Sequence, residues 1–193
     1  MLGSSVAPDP SASGGVLPRL MLVLGGARSG KSRFAEAAIE RAGGGLYLAT
    51  ATVGDAEMAE RVRLHRARRG SAWTTIEEPL DIVAAIVAES RPDRPMLVDC
   101  LTLWLSNVML AEREPESETE RLLRALGEAP GPVVLVANEV GLGIVPENAL
   151  ARAFRDHAGR LNQRIAALAD RVVFLAAGLP LVLKDRQPTE AAR

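Results

Sequence analysis

The sequence predicts an α/β fold, a mainly parallel sheet with helices on both faces. Three observations lead there. Short apolar runs alternate with longer helical patterns along the chain, as strand–helix–strand crossovers require. The runs are continuously apolar, as strands buried on both faces are. The first of them ends in a glycine-rich octet, GGARSGKS at residues 25–32, which passes straight into a helical pattern.

Residues 1–19 stand outside that pattern. MLGSSVAPDPSASGGVLP is rich in Ser, Gly, Pro and Ala, so a flexible N-terminal extension is expected. It lacks the charged start and apolar centre of a secretory signal. Residues 20–193 are expected to fold as one domain, opening with Leu20-Met21-Leu22-Val23-Leu24, a strand ended by Gly25. Lys31 to Arg41 is Ala- and Glu-rich and helical, and Gly43-Gly44-Gly45 stops it. Leu46-Tyr47-Leu48-Ala49 makes a second strand, and residues 55–69 predict a polar, Arg-rich helix. Trp73 to Glu77 suits a short strand, and Leu80 to Glu89 a helix behind Pro79. Met96-Leu97-Val98-Asp99 is a strand that closes on an acid. Helical patterns follow at 101–111 and 116–128, parted by a loop around Pro115. Val133 to Val136 is the next strand, a helix fills much of 147–169, and Val172 to Leu175 returns to the sheet. Leu181-Val182-Leu183 adds an edge strand. No internal repeat and no second core are evident.

Composition narrows the function. The 193 residues suit a domain with one substantial core, and 48% hydrophobic with 24% charged content is ordinary for a soluble globular protein. Lys+Arg 23 against Asp+Glu 24 leaves a net charge of -1, and only 3% of residues are aromatic. Nucleic-acid binding through a general basic field or a stacking platform is therefore not expected. The single cysteine, Cys100, excludes an intramolecular disulfide framework and fits a reducing cytoplasm. No apolar run approaches the roughly 18 residues of a spanning helix. A cytoplasmic protein is expected.

The octet carries a physical mechanism. Gly25 and Gly30 let the backbone curl until its N–H groups converge on phosphate oxygens at a helix N-terminus. Lys31 brings a flexible cation to the β- and γ-phosphates, where it stabilises charge on a moving phosphoryl group. The Ser32 hydroxyl suits Mg²⁺. Hydrolysis, signalling and group transfer all begin with such a loop, so the rest of the chain must decide among them. Asp99 ends its strand where a carboxylate can reach the crevice above the sheet and approach a nucleotide-bound metal. The plainer alternative is that it caps the next turn. Cys100 reads as a small buried filler.

His65 lies within Arg61-Val62-Arg63-Leu64-His65-Arg66-Ala67-Arg68-Arg69-Gly70. On a helix, Arg61 and His65 share a face and Arg68 and Arg69 follow within a turn. Neighbouring cations favour the neutral imidazole with a usable lone pair, and they could neutralise a polyphosphate under attack. Two readings stand: a phosphorus-directed nucleophile, or a solvated basic helix with an incidental histidine. His157 reads as a surface residue. Residues 137–148, ANEVGLGIVPEN, run from a strand into Asn-Glu and a glycine-rich loop, placing polar groups at the carboxyl edge of the sheet. A flexible connection would account for those glycines equally well.

Taken in order, GGARSGKSRFAE, LYLATA, the His65 basic segment, WTTIEEP, LVDCLTLWLSN, VANEVGLGIVPEN and FRDHAGRLNQRIA resemble one family. It is the bifunctional adenosylcobinamide kinase / adenosylcobinamide-phosphate guanylyltransferase family. The likeness runs from about Leu20 to Leu183, and NEVGLGIVPEN with GRLNQRIA is its most specific part. The resemblance implies a RecA-like P-loop NTPase fold, commonly assembled as a trimer, and a late step in cobalamin biosynthesis or corrinoid salvage. ATP or GTP would phosphorylate the aminopropanol hydroxyl of adenosylcobinamide. GMP from GTP would then be attached to that phosphate through a GMP-histidine intermediate, giving adenosylcobinamide-GDP and pyrophosphate. The position matching the intermediate is His65. Nucleotide contacts carry over onto Gly25, Gly26, Ala27, Arg28, Ser29, Gly30, Lys31 and Ser32, and onto Ala49, Thr50 and Ala51. They carry over also onto Arg66, Ala67, Arg68 and Arg69, and onto Glu77 and Asp99, with Ser32 and Asp99 at the Mg²⁺.

The chain departs from the family pattern in two places. Many members carry a His-His pair where this one has Leu64-His65, which retains the second histidine and loses its neighbour. Shorter members lack the N-terminal extension. Two alternative functions are weaker on the sequence. A monofunctional enzyme is disfavoured because Lys31, Ser32 and His65 are all intact. A regulatory GTP-binding protein would use a guanine-reading Asn-Lys-x-Asp motif, which is absent.

Overall fold

The computed structural model describes residues 17–51, 70 and 72–186. Seven strands form one sheet: β1 (Leu20–Gly25), β2 (Gly45–Ala49), β3 (Trp73–Glu77), β4 (Met96–Asp99), β5 (Val133–Asn138), β6 (Arg171–Ala176) and β7 (Leu179–Asp185). Five helices are described: α1 (Lys31–Glu40), α2 (Ile82–Glu89), α3 (Leu101–Leu110), α4 (Pro115–Glu128) and α5 (Ala149–Leu168). The strand order is β3-β2-β4-β5-β1-β6-β7, parallel throughout except for β7, which runs antiparallel to β6. The mainly parallel α/β architecture is the one expected. The helix expected at 55–69 lies outside the described residues.

The alternation of side chains along a strand explains the continuous apolar runs. Leu20, Leu22 and Leu24 of β1 join one core layer, while Met21 and Val23 join the other, and all are buried. Helices cover both faces, unequally. Ala35, Ala38 and Ile39 of α1 pack on the Met21 face. The opposite face takes Ile82 and Ile86 of α2, Trp104 and Leu105 of α3, Leu122 of α4 and Leu161 and Ile165 of α5.

Element ends follow local polar chemistry. Pro115 begins α4 instead of sitting in the preceding loop, because its missing N–H costs nothing at the first helical position. Helix α2 starts at Ile82, two residues later than the apolar pattern suggests. Glu78 Oε1 accepts the Leu80 and Asp81 N–H groups at 3.0 and 2.8 Å, holding them in a turn. Asn148 caps α5 by accepting from Leu150 and Ala151. Strand β7 is antiparallel because Ala177 and Gly178, at φ 51° and 80°, make a turn too tight for a crossover. At the N-terminal end, Leu17 packs on the Met21 face and Arg19 donates to the Leu126 carbonyl at 3.1 Å. The chain is thus tied into the fold just ahead of β1.

Candidate functional site

The octet turns between β1 and α1 with a backbone that only part of the amino-acid alphabet allows. Gly25 has φ 152°, and a Cβ there would stand 2.4 Å from the Leu175 carbonyl oxygen and 2.7 Å from Ser29 Oγ. Any side chain would collide with strand β6. Gly30, at φ 100°, occupies the N-cap of α1 without a side-chain cap, so the first N–H groups of the helix keep no capping side chain. No acidic residue sits in that first turn. An anion placed there meets unspent donors and the positive end of the helix dipole. The β6–β7 turn braces the loop from beside, with Gly178 N–H donating to the Ser29 carbonyl at 2.9 Å. Gly26, Ala27, Arg28 and Gly30 are exposed, and Ser29 Oγ is buried with no hydrogen-bond partner.

Lys31 folds back over this loop and donates to the Gly26 carbonyl at 2.5 Å. Burial lowers its pKa from the ordinary lysine value, while the charges of Cys100 and Asp99 pull it the other way. Lys31 and Asp99 therefore feel one another across the site. Ser32 follows on the first turn of α1, half-buried.

A second row of residues forms at the carboxyl edge of the sheet. Ala49 on β2 pairs with Glu77 of β3 on one side and with Asp99 of β4 on the other. Three of the expected nucleotide-contacting positions thus stand side by side. Tyr47, on the face that carries α1, donates its hydroxyl to Asp99 Oδ2 at 2.8 Å. The carboxylate is held towards the face from which Lys31 and Ser32 approach. Hydroxyl and carboxylate oxygens are the ligand class Mg²⁺ takes, so Ser32 and Asp99 fit the metal chemically. Among the described residues no group of three or more His, Cys, Asp or Glu converges on a metal position.

Thr50 is fully buried, and all its polar groups are spent inside the protein. Its N–H donates to the Asp99 carbonyl at 3.1 Å, its hydroxyl donates to the Cys100 carbonyl at 2.7 Å, and that oxygen accepts the Cys100 N–H at 2.7 Å. Its own carbonyl accepts from Asn107 Nδ2 at 2.9 Å. Thr50 braces the edge on which Ala49 and Ala51 lie, and presents no hydroxyl outward. Cys100 is buried as expected, and burial pushes its thiol pKa up, with the Asp99 charge adding to the shift. It is inert.

Next to this edge, β5 ends at Asn138, which pairs with Gly25 of the loop strand. Thr102 Oγ1 accepts the Asn138 N–H at 2.7 Å, and buried Asn162 donates from α5 to the Asn138 carbonyl at 3.3 Å. One residue further, the Glu139 N–H donates to the Gly25 carbonyl at 3.0 Å. The loop that follows exposes Leu142 and Ile144, at 82% and 97%.

The structure sets Gly25 to Ser32, Ala49, Thr50 and Asp99 along the carboxyl edge of the sheet between β2 and β1, with exposed Glu77 two strands from Asp99. His65, Arg66, Ala67, Arg68 and Arg69 lie outside the described residues. His157 sits on α5 with its Nδ1 3.1 Å from Arg160 Nη2, in an exposed contact. Sequence reasoning missed Tyr47, Thr102, Asn107 and Asn162, which hold the site's backbone and carboxylate. The one available signal was the specificity of the segments that contain them.

Residues 21–183 match the profile of the family described as cobinamide kinase / cobinamide phosphate guanyltransferase (CobU). The chain is 51% identical over 166 residues to the bifunctional adenosylcobalamin biosynthesis protein CobP of Pseudomonas aeruginosa, covering 84% of this chain and 96% of that protein. It is 44% identical over 180 residues to the Salmonella typhimurium protein CobU of the same description, covering 86% and 99%. Among solved structures, the flagellar accessory protein FlaH of Methanocaldococcus jannaschii aligns over 89% of this chain and 81% of its own. The TM-score is 0.52 at 12% identity. A second solved structure, an ATPase domain, aligns over 88% of this chain and 78% of its own, with a TM-score of 0.50 at 13% identity. At these identities the likeness is one of fold, that of the P-loop NTPases.

Proposed function

The chain belongs to the cobinamide kinase / cobinamide phosphate guanyltransferase family, and from that premise we propose how its residues divide two reactions. It is a bifunctional enzyme of cobalamin biosynthesis, with adenosylcobinamide kinase and adenosylcobinamide-phosphate guanylyltransferase activities. The observation that carries the assignment of residues is the pairing of the octet with Asp99. Lys31 feels the Asp99 charge, and the strands that carry the loop and Asp99 flank β5 on its two sides.

In the kinase step, the triphosphate of ATP or GTP lies along Gly25 to Ser32. Lys31 leaves the Gly26 carbonyl and stabilises charge gathering on the γ-phosphoryl group. Ser32 and Asp99 would hold Mg²⁺, which would supply Lewis-acid chemistry to the phosphate oxygens. Ala49, Ala51 and Glu77 continue the nucleotide site along the strand ends. In the transferase step, His65 attacks the α-phosphorus of GTP, the bond to the bridging oxygen breaks, and pyrophosphate leaves. An oxygen of adenosylcobinamide-phosphate then displaces the imidazole, giving adenosylcobinamide-GDP and restoring the free histidine. Arg66, Arg68 and Arg69 neutralise the polyphosphate, with Ala67 alongside.

We further read residues 20–193 as one catalytic unit and the enzyme as a cytoplasmic homo-oligomer, trimeric as its family resemblance implies. Two observations support that reading. No described helix is long and apolar enough to cross a membrane, and edge strand β7 exposes Leu179, Leu181 and Leu183. Product analysis tests the function as a whole. Adenosylcobinamide and GTP should yield phosphorylated corrinoid first and the GDP-linked corrinoid after it. Accumulation of one product with no trace of the other would overturn bifunctionality.

A further inference from the structure

We propose that Glu139 is the general base of the kinase step, accepting the proton of the aminopropanol hydroxyl as that oxygen attacks the γ-phosphorus. This rests on the kinase reading of the loop given above. The two reactions differ in what their nucleophiles must lose. A phosphate group is already ionised near neutral pH, and a neutral imidazole attacks through its lone pair. An alcohol keeps its proton until something takes it. Only phosphorylation therefore calls for a base, contributing about a hundredfold to ten-thousandfold.

Position selects the residue. Strand β5 lies between β1, which carries the loop, and β4, which carries Asp99. Glu139 is the residue at which β5 leaves the sheet, and its N–H donates to the carbonyl of Gly25, the first residue of the octet. The buried bonds from Thr102 and Asn162 to Asn138 fix the strand end from which it projects. Its carboxylate is oriented but not consumed. Oε1 accepts the Gly141 N–H at 2.7 Å, and among the described residues no cation pairs with the group. Oε2 remains for the hydroxyl.

The other carboxylates of the edge are differently engaged. Glu78 follows β3, the outermost strand, and its Oε1 holds the turn before α2. Asp99 accepts from Tyr47 and serves the metal in the reading above. Glu77 stands on β3, at the far edge of the sheet from β6 and β7 and four positions from β1. In the step itself, the hydroxyl oxygen bonds to the γ-phosphorus and the bond from that phosphorus to the β,γ-bridging oxygen breaks. The electron pair departs with the nucleoside diphosphate, and the proton passes to Glu139 Oε2.

The test uses full-length Glu139→Gln, which keeps an oxygen for the Gly141 N–H. Phosphorylation of adenosylcobinamide should fall about a hundredfold or more in kcat, with the KM for ATP unchanged. The residual kinase rate should climb with pH more steeply than that of the unmodified enzyme, as hydroxide stands in for the base. GMP transfer from GTP to supplied adenosylcobinamide-phosphate should continue within about twofold. A kinase loss below tenfold overturns the proposal, as does a parallel loss of both steps, which would make Glu139 structural. Failure of the unmodified enzyme to phosphorylate adenosylcobinamide would instead overturn the kinase reading beneath it.

Discussion

Tyr47 and Asp99 stand on adjacent parallel strands, and the Tyr47 hydroxyl donates to Asp99 Oδ2 at 2.8 Å. Tyr47 is itself packed edge-on against Trp73, with ring centroids 6.1 Å apart and planes at 75°. An aromatic pair on one face of the sheet thus sets the direction of a carboxylate at its edge. Such outer partners tune how tightly a ligand oxygen holds its metal, by about tenfold to a hundredfold.

That relationship gives a graded prediction. Asp99→Asn should depress turnover and raise the Mg²⁺ concentration needed for half-maximal rate, with thermal stability nearly unchanged. Tyr47→Phe should be its milder form, raising the Mg²⁺ requirement about tenfold while the rate at saturating metal stays near normal. Metal titrations of initial rate decide the matter. Loss of stability with an unaltered metal response would return Asp99 to the role of a turn cap.

Lys31 is a residue whose place in the free protein is costly. Lys31→Ala should reduce kinase turnover roughly a hundredfold or more, because it removes a cation that acts on the moving phosphoryl group. Near-normal phosphorylation by a folded variant would dismiss the loop as the kinase site.

The same lysine makes an opposite prediction about stability. Burial lowers its pKa below the ordinary value of 10.5, and Cys100 and Asp99 offset that in part. Between the depressed folded pKa and the unfolded one, the unfolded chain binds more protons, so stability rises with pH through that window. Below it the cost of burying the cation is present in full. Lys31→Met should therefore stabilise the nucleotide-free protein near neutral pH, and the advantage should shrink as pH climbs towards the ordinary lysine value. Denaturant melts of both proteins across pH test this. A gap that does not change with pH would show that charge burial is not its source.

Asn107 supplies a structural counterpart. Its side-chain amide donates to the Thr50 carbonyl at 2.9 Å and the Pro79 carbonyl at 2.8 Å, joining α3 to the ends of two separate chain segments. Asn107→Ala would leave both oxygens without that donor, at about 1–3 kcal/mol for each that stays buried. The midpoint of unfolding should fall accordingly, and nucleotide affinity with it, because Ala49 and Ala51 flank Thr50. A variant with unchanged stability would contradict this bracing role.

These examples mark what the sequence could and could not disclose. Strands β1, β4 and β5 were legible because burial on both faces leaves a continuous apolar run. The octet was legible because its chemistry is local, eight consecutive residues between a strand and a helix. Asn107 lies 57 residues from Thr50, and Asn162 lies 24 from Asn138. No periodicity reports a bond between such distant positions. Lys184, donating from β7 to the Ala166 and Ala167 carbonyls of α5, is equally invisible to pattern. The unequal division of helices between the two faces depends on the strand order, which only the whole topology fixes.

The covalent step depends on His65, where the two readings of the basic segment differ most. Incubation with GTP labelled at the α-phosphate should leave label on the protein. The bond should be labile in acid and stable in alkali, as a phosphoramidate is. Added adenosylcobinamide-phosphate should take the label off as adenosylcobinamide-GDP. His65→Ala should abolish both labelling and GMP transfer, yet spare phosphorylation, because the kinase step passes through no covalent histidine. His157→Ala is the control and should label normally, since His157 lies on α5 in an exposed contact with Arg160 and outside the segment that carries His65. Label that survives His65→Ala and vanishes in His157→Ala would reassign the nucleophile. Label that vanishes together with kinase activity in His65→Ala would make the segment a shared nucleotide site, with no separate covalent role.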